Sequence, residues 1–368
     1  MGTTNPSPTA RVVEARKAHH LALALSSGSQ SALDPGWDDV HLVPASLPEL
    51  SLDEIDLSTT LLGHRLAAPV VLAPMTGGYP DASRVNAVLG EAAEHLGLAV
   101  GVGSQRAALL ATELVPTYTA VRARAATAPV FANIGACQLV DQPGSPALGR
   151  DEILRVIEMV RADVLTVHLN VVQELLQPEG DRRTDSLARA IAAVVDWSPV
   201  PVLVKETGAG MTRESAGLLA AAGVAALDVG GAGGTSFARI EGARAARAGD
   251  DRRAELGRVF ADWGLPTAAS VFEVRGTGLP VVATGGVRTG LDAAKALAIG
   301  AVVVGVGRVA IRAAVRGTEE LVARLEQLLD ELRLAMLLTG SRTPADLRRS
   351  PPVLTGFTSE WVRQRALC

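Results

Sequence analysis

The chain has 368 residues, 48% of them hydrophobic and only 3% aromatic, with a formal net charge of −4. A core that must be filled by Ala, Val, Leu and Ile rather than by rings is the composition of a packed α/β protein, not of a disordered chain. The acidic balance excludes the broad basic field that sequence-independent nucleic-acid binding requires, and two Tyr and five Phe leave few stacking platforms for bases.

Residues 1–68 read as an N-terminal extension that opens on the polar, Pro-containing stretch MGTTNPSPTA. From residue 69 short runs rich in Val, Ile and Ala, flanked by Pro or Gly, alternate with longer segments of helical period. The runs are PVVLAPM from Pro69, LAVGVGS from Leu98, PVFANIG from Pro129, VLTVHLN from Val164, PVLVKE from Pro201, VAALDVGG from Val224, PVVATGG from Pro280 and AVVVGVG from Ala301. Eight near-continuous apolar strands, each followed by an amphipathic segment, suit a closed parallel barrel, whose strands are buried on both faces. A doubly wound open sheet shares the alternation, but the count of eight predicts an α/β protein of the TIM (β/α)8 barrel type over residues 69–345, with a C-terminal tail over 346–368. The wide gap between the sixth and seventh runs predicts an insertion with helices of its own, and TEELVARLEQLLDELRLAMLLTG reads as a long amphipathic helix.

Two cysteines, Cys137 and Cys368, cannot staple a chain of this length, and no charged-then-apolar leader opens it. No apolar run reaches the length of a membrane span, and MGTTNP lacks the Ser or Thr of a myristoylation signal. These features predict a soluble, cytoplasmic protein with no membrane and no nucleic-acid partner.

Active sites of such barrels lie at the C-terminal ends of the strands. Those ends carry Thr76, Ser104, Asn133, His168 with Asn170, Lys205, Asp228, and glycine clusters after Thr284 and Val304. Strands must exit into polar loops in any case, but a Lys at the end of a buried strand, in company with the rest, points to a ligand site. Glycines after the last two strands let backbone N–H groups approach an anion, with Arg288 and Arg308 supplying charge. The extension offers Arg16, Lys17, His19 and His20, and the loop after the second strand offers Arg106. That set suits a di- or triphosphate, although ARKAHH taken alone also reads as a solvated basic turn. Alternation puts His168 and Asn170 on one face of the fourth strand, with Gln173 and Glu174 in the loop above. Glu174 is the kind of hard oxygen donor that Mg²⁺ takes beside phosphate, and Gln173 orients or relays rather than titrates. Cys137 follows the third strand, where a small buried thiol is the commoner reading than a nucleophile.

These residues resemble, in order and spacing, the FMN-dependent type 2 isopentenyl-diphosphate isomerases. The resemblance runs from about residue 16 to 310 through RKAHH, APMTGG, VGSQR, ANIGA, HLNVVQE with PEGDR, PVLVKETGAG, DVGGAGGTSFARIE, DWGLPT and TGGVRTGLDAAKALAIGA. It implies that Met75, Thr76, Gly77, Ser104, Asn133, Lys205, Thr235, Gly285, Gly286, Arg288, Gly307 and Arg308 hold FMN. It also implies that Arg16, Lys17, His20, Ser104, Gln105, Arg106 and Gln173 meet a small-molecule diphosphate substrate and that Glu174 holds Mg²⁺. Gln173, His168 and Asn170 form the implied catalytic set. The implied chemistry is double-bond migration by reduced FMN acting as acid and base, with NAD(P)H needed only as reductant, in a homo-oligomer of four or eight subunits. Gly230 and Phe237 depart from the Ser and Trp of many relatives. The rival readings are weaker. A flavin-dependent 2-hydroxy acid oxidase needs a His near the seventh strand, and all six His here lie at or before residue 168. A dehydrogenase of the inosine monophosphate type needs a loop Cys after a glycine run, which neither cysteine provides. A non-catalytic flavin-binding barrel has no use for Gln173, Glu174 and the basic extension.

Overall fold

The computed structural model describes Lys17 and residues 21–367. Eight parallel strands close into a barrel. In chain order they are β1 Val70–Leu72, β2 Ala99–Gly101, β3 Val130–Gly135, β4 Val164–Leu169, β5 Val202–Glu206, β6 Ala226–Asp228, β7 Val281–Thr284 and β8 Val303–Val306. Each lies within one of the eight runs read from the sequence. The ring is completed by β8 against β1, with Val304 beside Val70 and Gly305 beside Val71, and this pairing excludes the open sheet.

Pro69, Pro129, Pro201 and Pro280 stand immediately before β1, β3, β5 and β7. A proline inside a buried strand would leave the ladder without a donor. At the strand entry it has only to accept, and the four carbonyls do so from the N–H groups of Val304, Val100, Leu165 and Leu227 at 2.9 to 3.0 Å.

Strand periodicity then sorts the side chains. Val71, Ala99, Phe131, Val164, Leu203, Ala226, Val282 and Val303 fill the barrel interior, joined by Leu61 and Leu66. Those two leucines come from an antiparallel hairpin, Thr59–Leu61 with His64–Leu66, which plugs the end where the strands begin. Each is almost fully buried, which stabilises the plug by roughly 1.5–3 kcal/mol per side chain. Outward residues such as Val70, Val100, Leu165 and Val204 pack beneath the helices in a larger cluster. Two residues further along the inward face the barrel turns polar, with Asn133, Thr166, Lys205, Asp228 and Thr284. That change marks the mouth.

Three excursions complete the molecule. Between β6 and β7 come the helices Phe237–Arg247 and Asp251–Val259 before the barrel helix Thr267–Val274, so the predicted insertion has its own helices. Strand Val40–His41 of the extension pairs antiparallel with Val353–Leu354. Beyond it the helix Gly356–Gln364 is tied down where Trp361 Nε1 and Arg365 Nε donate to the buried Glu273 carboxylate at 2.8 and 2.7 Å. The long helix read from the sequence is Thr318–Leu338. No helix among the described residues is long and apolar enough to cross a membrane.

Candidate active site

A cavity of about 550 Å³ opens at the C-terminal ends of the strands. Alternation along β4 sends Leu165 and Val167 to the helices and Thr166 and His168 inward. His168 Nδ1 lies 2.8 Å from Asn133 Oδ1. Asn133 Nδ2 donates to Val102 O at 3.0 Å, which turns the amide oxygen toward the ring, so Nδ1 carries the proton and Nε2 is left as an acceptor. Burial, with the charges of Lys17 and Lys205 added, pushes the His168 pKa down to about 3. The imidazole is therefore neutral at physiological pH.

Lys205, next around the ring on β5, is 7% exposed. Its ammonium donates to Glu206 O at 2.8 Å and stands 3.4 Å from Asp228 Oδ2 of β6. Asp228 also accepts from Thr284 Oγ1 at 2.9 Å and from Gly230 N at 3.1 Å. Burial raises the Asp228 pKa, against the Lys205 charge and these donors, which lower it. Thr284 occupies the end of β7, where the hydroxy-acid oxidase reading requires a histidine.

The loop after β4 starts with the short helix Val171–Leu176. Asn170 Nδ2 donates to Glu174 Oε1 at 2.7 Å, and Asp181 N donates to Glu174 Oε2 at 2.9 Å. Asp181 in turn pairs with Arg106 at 2.7 Å. The PEGDR stretch thus folds back over the HLNVVQE helix. Gly180 permits it, because a Cβ there would lie 1.8 Å from Glu174 O. Glu174 is 7% exposed, and burial raises its pKa from the ordinary value, against the Asp181 N–H, Asn170 and Arg106, which lower it.

Gln173 reaches a partner that sequence reasoning did not single out. Its Nε2 donates to Glu241 Oε1 at 3.1 Å, and Gln177 Nε2 donates to the same oxygen at 3.1 Å. Glu241 is 2% exposed and belongs to the insertion helix Phe237–Arg247. The sequence marked the insertion only as a segment with helices of its own. The signal available was spacing, since Phe237, Glu241 and Arg244 recur at i, i+4 and i+7 on one helix face.

Across the cavity Met75, Gly77, Ser104, Thr235, Gly285, Gly286, Arg288, Gly307 and Arg308 line the wall, together with Lys17 and Arg106. Two expected contacts are turned away. Gln105 is fully buried, with Nε2 donating to Val156 O and Oε1 accepting from Asn133 N, both at 2.9 Å. Thr76 Oγ1 lies 3.0 Å from Tyr79 OH and is off the lining. Arg308 lines the cavity, but its guanidinium donates to the carbonyls of Ala24, Leu25 and Ser26, so it anchors the extension over the mouth. Arg16, His19 and His20 lie outside the described residues. Gly230 has φ +46°, and a Cβ there would lie 1.9 Å from Glu206 O. In this chain the loops after β5 and β6 touch where a serine would need room.

The wall fits a phosphorylated flavin. It combines close-set glycine loops after β7 and β8, a buried ammonium, and polar atoms aimed inward. Ser104 Oγ and Asn170 Oδ1 are buried without a partner among the described residues, as groups that await a ligand would be. Glu174 offers one hard carboxylate near the Arg106 side, and among the described residues no three metal-binding side chains converge.

A family model described as FMN-dependent dehydrogenase matches residues 171–353. The isopentenyl-diphosphate delta-isomerase of Methanosarcina barkeri is 45% identical over 351 residues, which is 95% of this chain and 94% of that protein. The chain belongs to the isopentenyl-diphosphate delta-isomerase family. The isomerase of Methanothermobacter thermautotrophicus is 42% identical, with 96% of this chain and 97% of that protein covered. That of Halobacterium salinarum is 43% identical with 96% of each covered. Among solved structures, a Pediococcus acidilactici lactate oxidase superposes with TM-score 0.66 at 16% identity, covering 97% of this chain and 96% of that one. A mandelate oxidase with (S)-mandelic acid superposes with TM-score 0.62 at 20% identity, covering 95% and 97%. At such identities these share the fold with this isomerase-family chain and no more.

Proposed function

We propose that this chain interconverts isopentenyl diphosphate and dimethylallyl diphosphate in isoprenoid biosynthesis, with reduced FMN as cofactor and Mg²⁺ on the diphosphate. The observation that carries the reading is the meeting, in one cavity, of the glycine loops after β7 and β8, the Lys17 and Arg106 cations, and the Gln173–Glu174 pair.

The reaction places a proton on one carbon and removes one from another without net redox change. The described side chains offer no strong acid for an unactivated alkene: His168 is neutral, and Glu241 is engaged by Gln173, Gln177 and Arg244. Reduced FMN, when bound, supplies the acid and the base, and NAD(P)H serves only to reduce it. The chain binds, orients and excludes water. Met75, Gly77, Ser104, Asn133, Lys205, Thr235, Gly285, Gly286, Arg288 and Gly307 hold the cofactor. Lys17 and Arg106 neutralise the diphosphate, joined by Arg16 and His20 from the extension. Glu174 gives Mg²⁺ one carboxylate, a donor count that suits an ion sharing its shell with water and phosphate. His168 and Asn170 fix the substrate side of the floor. Gln173 presents its amide to the reacting carbons, with Nε2 held by Glu241.

The test is a visible spectrum of purified protein followed by a product assay. Bound flavin absorbance is expected, with activity under reducing conditions with Mg²⁺ and near silence when oxidised. A colourless preparation that takes up no added FMN overturns the reading, as does equal activity in both flavin states. Assembly into four or eight copies, which the resemblance implies, is read by light scattering, and a cytoplasmic location by fractionation.

A further inference from the structure

Arg244 sits on the insertion helix with its side chain 17% exposed. One arm donates to Glu241 Oε2 at 2.5 Å and the other to Glu179 Oε1 at 2.9 Å. Glu179 belongs to the PEGDR loop, 65 residues earlier in the chain, so one guanidinium ties the insertion to the loop that carries Gln173 and Glu174. The opposite oxygen of Glu241 receives the Gln173 and Gln177 amides. Burial works against the Arg244 charge, but Glu241 and Glu179 outweigh it and hold its pKa above the usual value.

The consequence follows from donor and acceptor counts. An ionised carboxylate only accepts, so the amide nitrogen of Gln173 must face Glu241 and the amide oxygen must face away from it. A neutral group in place of that carboxylate would accept either amide orientation. An adjacent guanidinium stabilises the ionised form of a carboxylate that is otherwise buried.

We propose that Arg244 is a positioning residue for this reaction: by bridging Glu241 and Glu179 it keeps the Gln173 amide in one orientation over the reacting carbons. The proposal rests on the isomerase reading. It makes the insertion between β6 and β7 part of the active site rather than a surface excursion, although Arg244 itself does not line the cavity.

The experiment compares FMN-loaded wild type with Arg244→Gln, Arg244→Lys and Glu241→Gln, together with the Arg244→Gln/Glu241→Gln double variant. Arg244→Gln is expected to lower kcat by about tenfold to hundredfold, the scale of a misplaced catalytic group. KM for isopentenyl diphosphate and bound flavin absorbance should stay within about twofold of wild type. Arg244→Lys, which restores the charge, should recover part of the loss. Glu241→Gln should cost little further in the Arg244→Gln background, because both act through one amide. Unchanged kcat in Arg244→Gln overturns the proposal, and so does a parallel loss of flavin and KM, or a full second penalty in the double variant. Should Arg244→Gln not fold, Glu179→Ala, which leaves the second arm without that acceptor, decides: lower kcat at constant KM supports the bridge, and wild-type kcat removes it. Wild type that binds FMN but forms no dimethylallyl diphosphate refutes the isomerase reading instead.

Discussion

Replacement of Gly180 by alanine tests whether the PEGDR turn sets the Glu174 carboxylate that is proposed to hold Mg²⁺. The new Cβ would lie 1.8 Å from Glu174 O and 2.7 Å from Glu174 C. The turn must retreat by roughly 1.5 Å to reach ordinary contact. The Asp181 N–H bond to Glu174 Oε2, 2.9 Å long, cannot survive that movement, and a hydrogen bond to a charged acceptor is worth about 1.5–3 kcal/mol. If Glu174 grips Mg²⁺ only when that N–H holds it in place, half-saturating Mg²⁺ should rise by about tenfold to hundredfold. Flavin content should be unchanged, because the glycine loops lie across the cavity. The assay is isomerase activity against Mg²⁺ concentration at fixed isopentenyl diphosphate. An unchanged Mg²⁺ curve in folded Gly180→Ala protein would refute the reasoning.

Gln173→Ala should abolish turnover while FMN stays bound; recovery of the variant as apoprotein would show that the amide belongs to the cofactor wall. Lys205→Met strands Asp228 without its cation, and removal of one partner of a buried pair costs about 3–5 kcal/mol; a melting temperature equal to wild type would contradict it. Stability should also respond to pH through two groups of opposite sign. His168, with a pKa down at about 3, contributes stability that is complete above its unfolded value near 6.5 and declines as pH falls toward 3. Glu206 is raised by burial to about 7. Its contribution is complete below its unfolded value near 4.5 and is lost as pH rises through 7. Glu206→Gln should therefore remove the downward contribution to melting temperature between about pH 4.5 and 7 and leave the His168 rise unopposed, and an unaltered slope would exclude Glu206 as a source.

What the sequence determined by itself is local. Eight short runs rich in Val, Ile and Ala, four of them entered through proline, specify buried parallel strands because side-chain alternation and the missing proline N–H act within a few residues. The same periodicity turned His168 and Lys205 toward the mouth. Contacts between distant segments needed the folded chain. Glu241 finds Gln173 across 68 residues only because the insertion helix lies over the loop after β4. Gln105 turns into the wall because a backbone carbonyl and an N–H there are better satisfied by its amide than by solvent. Gly230 meets Glu206 O only once adjacent strands have set their loops side by side. Periodicity acts between neighbours in sequence, whereas hydrogen-bond partners and steric limits at a barrel mouth depend on how separate loops pack.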